Sequence, residues 1–103
     1  MGWVWGLVMA KAYWIAHVTV SNPDQYKFYA SDAGIAFKKY NATILARGGA
    51  HQLMEGNGRP RNVVIEFPSL QAAIDCYNSE EYQSAKSKRK GACEADITIV
   101  EGV

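Results

Sequence analysis

The fold this sequence predicts is α+β, with a four-stranded antiparallel sheet covered by helices on one face. Three observations carry that prediction. Hydrophobic periods along the chain change in the order strand, helix, strand, strand, helix, strand. Polar punctuation separates them at Ser21-Asn22-Pro23, at Glu55-Gly56-Asn57-Gly58-Arg59-Pro60 and at Pro68-Ser69. The first and last strands, residues 12–20 and 96–100, are also apolar on both alternating faces, where a half-buried antiparallel strand is apolar on only one. Such strands need cover on both sides, and a second copy of the chain is the expected source.

The first strand, Ala12–Val20, is rich in β-branched and aromatic residues and stops at Ser21-Asn22-Pro23. The same stop starts a helix. Asn22 can cap the free amides, Pro23 suits the first helical position, and Asp24 complements the dipole. Tyr26, Tyr29, Ala30, Ala33, Phe37 and Tyr40 then recur at helical spacing, and Asn41 terminates the helix. Gly34 costs that helix about 1 kcal/mol relative to alanine, so close packing or a kink is expected there. Residues 42–49 read as the second strand, with a bend or bulge at Gly48-Gly49 and continuation over 50–54. A turn leads to the third strand, Arg61–Phe67. Ser69 caps a second helix carrying Leu70, Ala73, Ile74 and Tyr77. Asn78-Ser79 interrupts it, and Ser79 restarts a helical piece that runs through Tyr82 and Ala85 to a basic tail ended by Gly91. Residues 96–101 close the sheet. This order is the split βαβ, ferredoxin-like arrangement.

Composition narrows the function classes. The chain has 103 residues, 49% hydrophobic and 20% charged, and a formal net charge of +1, which suits one globular domain. Near-zero charge gives no field for nucleic acid or an anionic membrane. Lys86, Lys88, Arg89 and Lys90 read as a solvated helix end. Cys76 and Cys93 have no metal or redox spacing, and His17 and His51 lack a metal-binding partner motif. No metal and no cofactor is therefore expected, and unpaired cysteines fit a cytoplasmic setting. Residues 1–11 read as an N-terminal extension or cloning remnant, too short to span a bilayer, and residues 12–103 as a single domain.

Several ordered motifs carry a resemblance. They are Ala12-Tyr13-Trp14-Ile15-Ala16, Asn22-Pro23 with Tyr26, Leu45-Ala46-Arg47-Gly48-Gly49 and Val64-Ile65-Glu66-Phe67-Pro68-Ser69. Tyr77-Asn78-Ser79-Glu80-Glu81-Tyr82-Gln83 and the closing Ile99-Val100-Glu101-Gly102-Val103 complete the set. Together they resemble domain of unknown function 1330, a family of small bacterial proteins in the dimeric α/β barrel superfamily. The resemblance covers residues 12–103 and implies a ferredoxin-like protomer and a homodimer with sheets packed face to face. It assigns no activity.

Among the residues themselves, His17 suits a general acid or base, or an interface histidine with one satisfied hydrogen bond. Arg47 suits a clamp for a carboxylate or enolate, or a structural partner of Glu66. Glu66 is a base or that partner. Tyr13, Tyr26, Tyr29, Tyr77 and Tyr82 are ligand-contact candidates, with helix-to-sheet packing as the alternative for each. Two functions are carried forward. In the first, a cytosolic homodimer binds or turns over a small apolar or aromatic metabolite without a cofactor, using His17 and Arg47. In the second, the protein is a non-enzymatic dimeric structural or stress-related module. Neither involves nucleic acid or membrane.

Overall fold

The chain folds as β1 (Ala12–Val20), α1 (Pro23–Lys39), β2 (Thr43–Arg47), β3 (Arg61–Phe67), α2 (Leu70–Asn78), α3 (Glu80–Ser87) and β4 (Cys93–Glu101). This is a computed structural model, and it describes residues 10–103. Of the expected N-terminal extension over residues 1–11, residues 1–9 lie outside the described residues. All pairings in the sheet are antiparallel, in the order β2-β3-β1-β4. That order and the helix placement make the fold ferredoxin-like.

Capping chemistry sets the helix starts. Asn22 Oδ1 accepts the Gln25 N–H at 3.2 Å, with Pro23 beginning α1. Asn41, at φ 59°, ends its C-terminal turn, a conformation asparagine tolerates. Ser69 Oγ accepts the Ala72 N–H at 3.1 Å. Ser79 works in two directions: its hydroxyl donates to the Cys76 carbonyl at 2.7 Å and accepts the Tyr82 N–H at 3.1 Å. One side chain thus closes α2 and opens α3.

Several local expectations are corrected. The bend expected at Gly48-Gly49 is present, with Gly48 at φ 68°, while a bulge lies earlier, at Leu45, between the Ile44–Ile65 and Ala46–Val64 pairs. Residues 50–54 are not strand, because β3 begins at Arg61 and offers nothing further along for them to pair with. α3 stops at Ser87 rather than running to Gly91. There the Gln25 side chain of α1 donates to the carbonyls of Lys88 and Lys90 at 2.9 Å each, fixing a turn in place of further helix. β4 correspondingly starts at Cys93 instead of Asp96. Gly34 marks neither close packing nor a kink: α1 runs through it, and an added Cβ would meet nothing within 4 Å.

The core lies between the helices and one sheet face. Trp14 is its centre, only 1% exposed. Its ring meets Phe37 edge-on at 5.2 Å and Tyr82 edge-on at 4.9 Å, and stacks on Phe67 at 6.0 Å. Strand alternation sends Ala12, Trp14, Ala16 and Val18 to this side. The same alternation sends Tyr13, Ile15, His17 and Thr19 to the other. On that open face Ile15 sits opposite Val64, and Tyr13 opposite Val100. Polar residues surround this apolar centre, among them His17, Asn62 and Asp96.

Candidate functional site

A cavity of about 70 Å³ lies between α1 and the sheet. Its walls include Trp14, Ala16, Phe37, Ile65 and Ile97, and Ala30, Gly34 and Ile44 stand where the partly exposed rim opens beside β2. Three arginines, Arg47, Arg61 and Arg89, contribute to this largely apolar lining.

The bulge at Leu45 explains Arg47. Ile44 pairs with Ile65 and Arg47 with Val63, both on the helix side of β3. In a regular strand, residues three apart face opposite ways. The extra residue lets both Ile44 and Arg47 line the cavity, a re-aiming typical of bulges near sites. Arg61 opens β3 on the same face as Val63, and its guanidinium lies against Gly48. A Cβ at Gly48 (φ +68°) would stand 2.6 Å from Arg61 Nη1, so this glycine supplies both the turn and the space.

Tyrosines of α1 hold two of the cations. Arg61 Cζ lies 5.5 Å from the Tyr26 ring centre, and Arg89 Cζ 5.0 Å from that of Tyr29. The Tyr29 and Tyr82 hydroxyls are 2.8 Å apart. Burial raises the pKa of Tyr26, Tyr29 and Tyr82 above the ordinary phenol value; for Tyr26 the charge of Arg61 acts in the opposite direction. These phenols stay neutral at physiological pH. Burial also pushes the Cys76 thiol up to about 12, which leaves it unreactive.

The structure separates the two residues expected to cooperate. Arg47 lines the cavity, whereas His17 is exposed on the open sheet face, its Nδ1 2.7 Å from Asn62 Oδ1. Glu66 does not meet Arg47. It lies on the open face, 3.2 Å from Lys11 Nζ, and accepts the Tyr13 hydroxyl at 3.3 Å. Tyr13 therefore also stands away from the cavity. Tyr26 and Tyr29 line it. Tyr77 and Tyr82 pack on Trp14 behind it, with ring centres at 5.6 and 4.9 Å.

Arg61 and Arg89 were not among the expected residues. Arg61 was legible: it shares the alternation of Val63, Ile65 and Phe67. Arg89 was hidden in the basic cluster. That cluster disperses in the fold. Lys86 donates to the Tyr77 hydroxyl at 3.1 Å, Lys88 pairs with Asp32, and Arg89 reaches the cavity. On the open face a second depression is lined by His17, His51, Arg59 and Asp96. There Arg59 is already engaged by Asp96 at 2.9 Å and Glu94 at 3.0 Å. No helix among the described residues is long and apolar enough to cross a membrane.

Solved structures share this architecture. A protein of unknown function from Rhodopseudomonas palustris is 14% identical, with a TM-score of 0.75 over 100% of this chain and 94% of that one. SnoaB, a cofactor-independent oxygenase from Streptomyces nogalater, is 6% identical, with a TM-score of 0.66 over 91% of this chain and 94% of that one. A dimeric protein of unknown function with a ferredoxin-like fold, from Bacteroides fragilis, is 12% identical, with a TM-score of 0.53 over 89% and 96%. At such identities the likeness is one of fold. No protein of curated function matches the chain. The family model described as domain of unknown function (DUF1330) matches residues 11–103, and the chain belongs to that family.

Proposed function

We propose that the protein is a cytosolic homodimer in which each protomer binds a small apolar or aromatic metabolite between α1 and the sheet. One observation carries this reading. An apolar cavity open at the β2 edge contains Tyr26, Tyr29 and three arginines, a few polar groups converging on a greasy lining, as ligand sites do. The dimer is supported by the apolar centre of the open face and by the dimeric Bacteroides fragilis neighbour. Unpaired Cys76 and Cys93 support the cytosolic setting.

Any turnover would rest on charge stabilisation. The lining offers guanidinium groups and neutral phenols, with no His, Asp, Glu or Lys among the described residues. Arg47 keeps its proposed role toward developing negative charge. His17, engaged by Asn62 on the opposite face, is assigned to the dimer interface, as the non-enzymatic reading had it. The fold is shared with a cofactor-independent oxygenase, which supports turnover without a cofactor.

Gly34→Leu tests the cavity. A Cβ at this position meets nothing within 4 Å, so leucine extends from open space at the mouth, and α1 gains about 1 kcal/mol of helix propensity. A ligand at 100 times its Kd stabilises the wild type by about 2.7 kcal/mol. Thermal-shift screening with small aromatic and branched aliphatic compounds should show stabilisation of the wild type that the variant loses. Equal shifts in both proteins would place the ligand elsewhere.

A further inference from the structure

We infer that the ligand of this cavity is a small organic carboxylate, gripped by Arg61 and Arg89, with Arg47 at the entrance. The inference rests on the cavity being a binding site and adds the chemical class of what it binds.

Charge is the first argument. The chain as a whole has a net charge of +1, yet three cations and no anion line this one cavity. Described carboxylates in ion pairs are engaged elsewhere: Glu66 with Lys11, Glu81 with Lys39, Glu94 and Asp96 with Arg59, and Asp32 with Lys88. None pairs with Arg47, Arg61 or Arg89 among the described residues. Guanidinium groups gathered in an apolar lining repel one another until an anion joins them.

Hydrogen-bonding geometry is the second. In both Arg61 and Arg89, Nε is buried with no acceptor in reach. Buried polar groups are almost always satisfied, and the exceptions need explaining. A guanidinium grips a carboxylate with two parallel hydrogen bonds. Tyr26 and Tyr29 lie beside the two guanidinium groups, their ring centres 5.5 Å from Arg61 Cζ and 5.0 Å from Arg89 Cζ, and Arg89 Nη1 also reaches Cys93 Sγ at 3.6 Å. The same atom lacks a protein partner in Arg61 on β3 and in Arg89 in the turn after α3, and both residues line one cavity.

The register supplies the third. Arg61 lies beside Val18, while Ile65 lies beside Trp14 at the other end. Arg89, Cys93 and Ala95 belong to the Arg61 end, since Val20 pairs with Cys93 and Val18 with Ala95. The cavity therefore has a cationic end and an apolar end. An amphiphilic acid fits it with the carboxylate at the arginines and the hydrocarbon against Trp14, Phe37 and Ile65. A volume of about 70 Å³ limits that hydrocarbon to a short branched chain or one ring reaching into the mouth.

Calorimetric titration with benzoate and 3-methylbutanoate, each beside its primary amide, tests the inference. Both acids should bind the wild type at least about tenfold more tightly than the amides. Arg61→Gln should bring the acids to the amide level while leaving the amides unchanged. If that variant fails to fold, Arg47→Gln, altered at the exposed rim, should weaken the acids alone. Amides binding as well as acids would overturn the carboxylate and leave the cavity reading standing. Binding by neither class, with no effect of Gly34→Leu on any ligand, would overturn both.

Discussion

Trp14→Ala is expected to destabilise the protein by about 3–5 kcal/mol, enough to consume most of the stability a small domain has. The side chain is 1% exposed and touches α1, α3 and β3 through Phe37, Tyr82 and Phe67. Tyr82 is held by other contacts, its hydroxyl bonded to that of Tyr29 and its N–H capped by Ser79. Such a neighbour has little freedom to collapse into the void, and a cavity that cannot relax is the costly kind. Urea denaturation should show the midpoint falling far below that of the wild type. A loss under 1 kcal/mol would mean that the aromatic cluster is not the keystone of the core.

Ile15→Asp is expected to convert the dimer to monomer without unfolding the protomer. Ile15 sits mid-strand on the open face, half-buried and opposite Val64, so a carboxylate there is solvated in a lone protomer. In a face-to-face dimer it is desolvated beside apolar partners. A buried uncompensated charge costs on the order of 3–5 kcal/mol, a rise in Kd of two orders of magnitude or more. Sedimentation should find a wild-type dimer and a monomeric variant with unchanged circular dichroism. A wild type that sediments as a monomer at tens of micromolar would instead show that the open face serves another purpose.

Most of the fold was legible because its signals are local. Asn22, Ser69 and Ser79 cap where their chemistry says they should, and the order of periods gave the topology. The site was only half legible. Alternation along β1 already placed His17 with Tyr13 and Ile15, opposite Trp14. Joining His17 to Arg47 disregarded that parity. For Arg47 the parity itself misleads, since the bulge at Leu45 leaves no mark among Thr43, Ile44, Leu45 and Ala46 and shifts every later residue by one. The extension of β2 over 50–54 failed because strand length depends on a partner, and β3 begins only at Arg61. Arg89 was out of reach of local reasoning. Its place depends on α3 stopping at Ser87, which is enforced by Gln25 from a distant helix.

The central claim is that the two sheet faces divide the work, one holding a ligand under α1 and the other holding a second chain. A crystal structure of the protein soaked with the tighter of the two acids tests it most directly. The account predicts ligand density between Trp14 and Arg61, with carboxylate oxygens within about 3 Å of guanidinium nitrogens of Arg61 and Arg89, and a two-fold axis through the Ile15–Val64 face. Density instead in the depression beside His17 and His51, with the α1 cavity closed, would contradict it.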